Sequence, residues 1–185
     1  MKLKQTTNYP WDGRIELAVH PEREESFVIR LRVPDWCRGY KLKVGGERLF
    51  GAGALTDRGY LIVDRKWSQG DVIVLELDMP VEVVRAREAV EADRGRLAIQ
   101  RGPIVYCAEQ ADNPDLTYDA FALAAREPLN IHYRPDLLGG VTVLTGLAEE
   151  GKPCLLIPYY AWDNREEGFM QVWIREAEDR RLYLY

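Results

Sequence analysis

The chain has 185 residues, 46% of them apolar and 30% charged, which is enough for one large β-sandwich or two small domains with their own cores. Its net charge of -5, with Arg14 set beside Glu16 and Arg85 and Arg87 lying between Glu82 and Glu88, argues against a nucleic-acid surface, which needs clustered cations. No apolar run approaches the roughly 20 residues of a membrane span, and Met1 to Gln5 lacks the apolar centre of a signal peptide.

Period-two alternation dominates the first half. Residues Lys2 to Thr7 alternate like part of a strand. Ile15, Leu17 and Val19 share one face of the next segment, and Phe27, Ile29, Leu31 and Val33 share a face of the one after. The polar stretch His20 to Glu25 between them reads as a hairpin loop. Tyr40, Leu42 and Val44 make a further strand, closed by Gly45-Gly46, whose freedom to take positive φ suits a two-residue turn. Gly51-Ala52-Gly53 begins like a dinucleotide fingerprint, but Thr56 breaks it and no βαβ unit follows, so it reads as a hairpin loop. Gly59 to Val63 and Val72 to Met79 are strands; Trp67 to Asp71 plugs and turns the chain between them, and Pro80 stops the second. Val81 to Arg87, Arg96 to Gln100 and Ile104 to Cys107 add short strands.

The pattern changes after Glu109. Gln110 to Asp115 is polar and turn-rich and reads as a linker. Tyr118 to Arg126 fits one or two helical turns or an irregular crossing. Asn130 to Arg134, Gly140 to Thr145, Cys154 to Tyr159, Met170 to Arg175 and Arg181 to Tyr185 read as strands. The expected fold is therefore all-β: two consecutive antiparallel β-sandwich, jelly-roll-like units, residues 1–109 and a smaller one over 110–185. Lys2 to Thr7 alternates like part of a strand and the apolar Leu182 to Tyr185 stops without a polar tail, as in a segment of something larger.

Catalytic signatures are few. His20, in a loop, and His132, in a strand, are far apart in sequence, and there is no Cys-x-x-Cys, so no metal is expected here. No Gly-x-Ser-x-Gly elbow occurs. Cys37, Cys107 and Cys154 are odd in number, and no Asn-x-Ser/Thr acceptor is present, which points to reduced thiols and a cytoplasmic setting. Of the 30 acidic residues, Asp163, Glu166 and Glu167 lie beside aromatics, yet a solvated loop describes them better than a catalytic pair. Tyr159, Tyr160, Trp162, Asn164 and Arg165 combine flat rings with polar groups able to orient sugar hydroxyls. Tyr9 and Trp11 form a second aromatic set, suited to packing against another domain.

Five segments together carry a resemblance. They are Asn8 to Gly13, Arg32 to Cys37, Trp67 to Asp71, Arg101 to Tyr106, and Pro158 to Arg165 followed by Met170 to Trp173. In this order they resemble glycoside hydrolase family 127, the β-L-arabinofuranosidase family. The resemblance implies an (α/α)6 barrel bearing the active site, followed by two β-sandwich domains, of which this chain corresponds to the latter. It also implies a zinc-held cysteine nucleophile and a glutamate acid/base, both in the barrel. No Cys-Cys motif is present here, so no catalytic or zinc residue carries over, and Cys37 and Cys107 match structural positions. The expected role is support of an upstream catalytic barrel of the same polypeptide, with pairing into a homodimer. A carbohydrate-binding module for arabinose-containing glycans is the alternative. On the first reading the isolated chain is inactive.

Overall fold

A computed structural model describes residues 1–48, 58–114 and 121–177. The Gly51 to Gly53 loop and the strand expected at Arg181 to Tyr185 lie outside the described residues, as do parts of the Gln110 to Asp115 and Tyr118 to Arg126 segments. The architecture is all-β, as the alternation requires, and its described helical elements are single 3-10 turns. Two compact units divide between Pro80 and Val81, so the boundary expected at 109/110 falls inside the second unit. Pro80 marks the junction, the preceding strand ends earlier, at Leu77, than the expected Met79, and the strands from Val81 to Glu109 pair with later strands rather than earlier ones.

The first unit holds β1 (Lys2–Thr7), β2 (Arg14–His20), β3 (Glu25–Arg32), β4 (Tyr40–Val44), β5 (Glu47–Arg48), β6 (Tyr60–Trp67) and β7 (Asp71–Leu77). One sheet runs β1-β2-β7-β4-β5 and the other pairs β3 with β6. Both sheets turn alternate apolar residues into one core: Val19, Leu42, Ile73 and Leu75 from the first, Ile29, Leu31, Leu61 and Val63 from the second. This is sandwich packing, and each such side chain contributes about 1.5–3 kcal/mol through burial. His20 to Glu25 is not a hairpin loop: β2 pairs with β1 and β7 while β3 pairs with β6, so the segment carries the chain from one sheet to the other. Burying both apolar faces requires that crossing, and local polarity does not reveal it.

Gly45 and Gly46 sit at φ 59° and 84°, between Val44 and its partner Glu47, as the hairpin reading requires. Gly13 has a different reason. Its carbonyl accepts the Leu77 N–H at 2.9 Å, and a Cβ there would collide with the Leu77 carbonyl. Trp67 is fully buried, stacks on Phe27 at 5.8 Å and donates its indole N–H to the Phe27 carbonyl at 2.8 Å.

The second unit holds β8 (Val81–Arg85), β9 (Arg96–Arg101), β10 (Ile104–Glu109), β11 (Ala122–Leu123), β12 (Asn130–Arg134), β13 (Val141–Leu147), β14 (Pro153–Pro158), β15 (Met170–Gln171) and β16 (Ile174–Glu176). These form one nine-stranded sheet, β11-β16-β9-β10-β14-β13-β12, with β8 added on β9 and β15 on β10. All pairs are antiparallel except β11 with β16. The sheet curls: Leu123 at one end bridges to Ala148, just past β13 near the other. Both faces are apolar. Tyr106, Ala108, Leu144 and Leu156 enter one cluster, while Cys107, Val143 and Ile157 enter a second. Gln110 to Pro114 is not a linker, because Asn113 within it is only 5% exposed and ties β10 to β14.

Candidate functional site

The aromatic residues singled out from the sequence gather where β14 ends. A 3-10 turn over Tyr159–Ala161 buries Ala161 and leaves Tyr159 and Tyr160 at 45% and 55% exposure. Trp162 is half-buried against the Cys107 cluster, and its ring stacks on Tyr159 with centroids 6.5 Å apart and planes at 19°. The rings therefore share a surface.

The polar partners expected beside them are engaged elsewhere. The Asn164 amide donates to the Ala161 and Trp162 carbonyls at 3.1 and 3.0 Å. Arg165 reaches back to the end of β10, holding Asp112 through two bonds of 2.7 and 2.5 Å and forming an ion pair with Glu109. Glu109 is 2% exposed, and its other oxygen accepts the Asp163 N–H at 3.0 Å. Hydrogen bonding to Asp112 holds the Arg165 guanidinium above its ordinary value, against the opposing pull of partial burial. Asn113 completes the knot: its amide donates to the Glu109 and Leu155 carbonyls at 2.8 and 2.9 Å, and its oxygen accepts the Leu155 N–H at 3.0 Å. Glu109, Asp112 and Asn113 escaped sequence reasoning, and the only trace was a carboxylate ending an otherwise apolar strand. Asp163, Glu166 and Glu167 are exposed.

In the first unit, Tyr9 stacks on Trp36 at 6.4 Å and packs on its own core, whereas Trp11 stands 49% exposed on the turn after β1. His20 lies at the end of β2, its Nδ1 3.2 Å from the Gln69 amide nitrogen. His132 is exposed on β12.

The residues described do not fit a zinc site, for no group of three or more His, Cys, Asp or Glu side chains among them is placed to hold a metal ion. The thiols are unsuited to nucleophilic work as well. Burial pushes Cys107 up to about 12 and Cys154 up to about 11 from an ordinary 9.0, and it raises Cys37, whose Sγ–H donates to the Gly39 carbonyl at 2.9 Å. Raised values mean stability that is complete below pH 9.0 and lost as pH climbs through about 11 and about 12. Two outcomes are expected. A thiol reagent at neutral pH labels Cys107 and Cys154 only on unfolding, and the urea midpoint of the second unit falls as pH rises above 9.0. Rapid native labelling of Cys107 would contradict this.

Each unit is all-β, and the Cys107 and Cys154 thiols are buried and protonated at neutral pH. The family model for the β-L-arabinofuranosidase GH127 middle domain matches residues 1–79, and the model for the glycoside hydrolase family 127 C-terminal domain matches residues 81–175. The chain belongs to glycoside hydrolase family 127 and comprises its middle and C-terminal domains. It is 38% identical to a non-reducing end β-L-arabinofuranosidase of Bifidobacterium longum over 95% of this chain and 30% of that protein. It superposes on a GH127 β-L-arabinofuranosidase from Geobacillus stearothermophilus T6 with TM-score 0.87 and 41% identity, covering 94% of this chain and 30% of that one. A second solved structure, a GH127 β-arabinofuranosidase, gives TM-score 0.84 and 35% identity over 94% of this chain and 31% of its own. The chain thus spans about a third of the length of these relatives, and what it matches is their non-catalytic portion. No described helix is long and apolar enough to cross a membrane.

Proposed function

We propose that the chain is the supporting β region of a family 127 hydrolase acting on β-L-arabinofuranosides, and that it holds the catalytic barrel of the same polypeptide. Zinc, the cysteine nucleophile and the acid/base belong to that barrel on this reading. The observation that carries it is the pairing of two matched, non-catalytic family domains with a third of the relatives' length. Trp11, 49% exposed on the turn after β1, supplies an indole for interdomain contact. The glycan-binding alternative has the exposed Tyr159 and Tyr160 rings in its favour. Against it, the Asn164 amide hydrogens and the Arg165 fork serve the fold and are not available to orient a sugar.

The test compares three proteins on an aryl β-L-arabinofuranoside: this chain, the longer native polypeptide, and that polypeptide with this segment deleted. The expected result is hydrolysis by the longer protein, none by this chain, and loss of folded barrel in the deletion. Hydrolysis by the chain alone, or a fully active and stable deletion protein, overturns the reading.

A further inference from the structure

Strands β12, β13 and β14 carry a hollow on the sheet face that also bears the Cys107 cluster. Asn130 stands directly opposite Thr145, and Thr145 opposite Leu155, so the three side chains form a row on one face. Leu155 packs on the Cys107 cluster, which fixes which face this is. Two residues along β13, Leu147 stands opposite Pro153 and sets an apolar pair beside the row. Asp112, and Glu127 ahead of β12, also line the hollow, whose volume is about 610 Å³. Small-molecule sites span roughly 300–1,000 Å³.

We propose that this hollow binds a short neutral oligosaccharide. A sugar offers hydroxyls around its rim and C–H groups on its faces. The Asn130 amide and the Thr145 hydroxyl each donate and accept, and among the described residues neither is engaged in a side-chain hydrogen bond. Leu147, Pro153 and Leu155 supply the apolar floor. Asp112 is the fixed point between them. Its neighbour Asn113 bonds the Leu155 carbonyl and N–H at 2.9 and 3.0 Å, and Arg165 grips the Asp112 carboxylate at 2.7 and 2.5 Å. A carboxylate so held keeps lone pairs for a hydroxyl. Arg165 does not line the hollow, so it acts as a positioning residue that aims Asp112.

Charged ligands fit less well. Asp112 and Glu127 repel an anion, whereas Arg165 already answers the Asp112 charge and Glu127 is engaged within the protein, which leaves a cation little to pair with. The Tyr159 and Trp162 rings do not line the hollow, so this site is separate from theirs, and it stands whether or not a barrel is attached. An open hollow without an aromatic platform binds weakly, with a Kd on the order of 1 mM.

The test is an NMR titration of the ¹⁵N-labelled chain with arabinotriose and with cellotriose, and with putrescine and succinate as charged controls. Saturable shifts of the Asn130, Thr145 and Leu155 signals are expected with at least one trisaccharide and with neither control. Thr145→Val and Asn130→Ala are each expected to raise the Kd about fivefold, the loss of one hydrogen bond. Thermal unfolding should be unchanged, because Asn130 is exposed and valine matches threonine in shape. Silence with both sugars overturns the proposal. So do shifts centred on Tyr159 and Trp162, a stronger response to either charged control, or a Kd indifferent to both variants.

Discussion

Replacing Arg165 by alanine is expected to destabilise the second unit by about 3–5 kcal/mol, because it strands the Glu109 carboxylate in the interior. Glu109 is 2% exposed and the Arg165 side chain 23%, so the pair lies outside the regime of surface ion pairs, whose median value is about 0–1 kcal/mol. Asp112 loses two charge-assisted bonds in the same step, and the Asp163 N–H keeps a carboxylate that no longer has its cation. Thermal unfolding followed by the tryptophan signal should show the second unit's transition lowered by more than about 10 °C. Changing Glu109 to leucine together with Arg165 to methionine should recover much of the loss, since apolar replacement of a whole buried pair is close to neutral. A single-variant loss below about 1 kcal/mol would mean that water reaches the pair and that the knot is decorative.

Trp67→Ala is expected to cost the first unit about 3–5 kcal/mol, the range for deleting a buried large aromatic. Three contributions act together: the cavity left by a fully buried ring, the lost stack on Phe27, and the Phe27 carbonyl deprived of its 2.8 Å indole donor. Trp67→Phe separates them. It keeps most of the volume and the stack and removes the donor, so a smaller loss of about 1–3 kcal/mol is expected. Urea titration of the two variants measures the difference. Equal losses would assign the whole effect to the hydrogen bond, and a near-neutral phenylalanine would assign it to packing.

The strands of the first unit were legible because each has one wet and one dry face. In β7 the residues Ile73, Leu75 and Leu77 are buried while those between are not. What period two does not encode is which strand lies beside which. The crossing at His20 to Glu25 looks locally like a turn and is set only by the need to face two sheets together. In the second unit β10 is buried on both faces, so the alternation that would delimit it is lost. The polar run after Glu109 then drew the boundary to itself, although Pro80 was the break. The site divides in the same way. Its aromatics are visible as a cluster in sequence. Arg165 and Glu109 stand 56 positions apart, and their pairing depends on a fold that brings the loop after β14 back to β10. Asn113 is harder still, because a buried asparagine tying two strands has the composition of a linker.

The measurement that tests the central claim most directly is the mass of the native gene product, by immunoblot of source-cell lysate with an antibody raised against this chain. The account predicts a band several times heavier than 21.3 kDa, as a supporting region joined to its barrel requires. A product only at 21.3 kDa would contradict it and leave a free-standing β protein in place of a hydrolase scaffold.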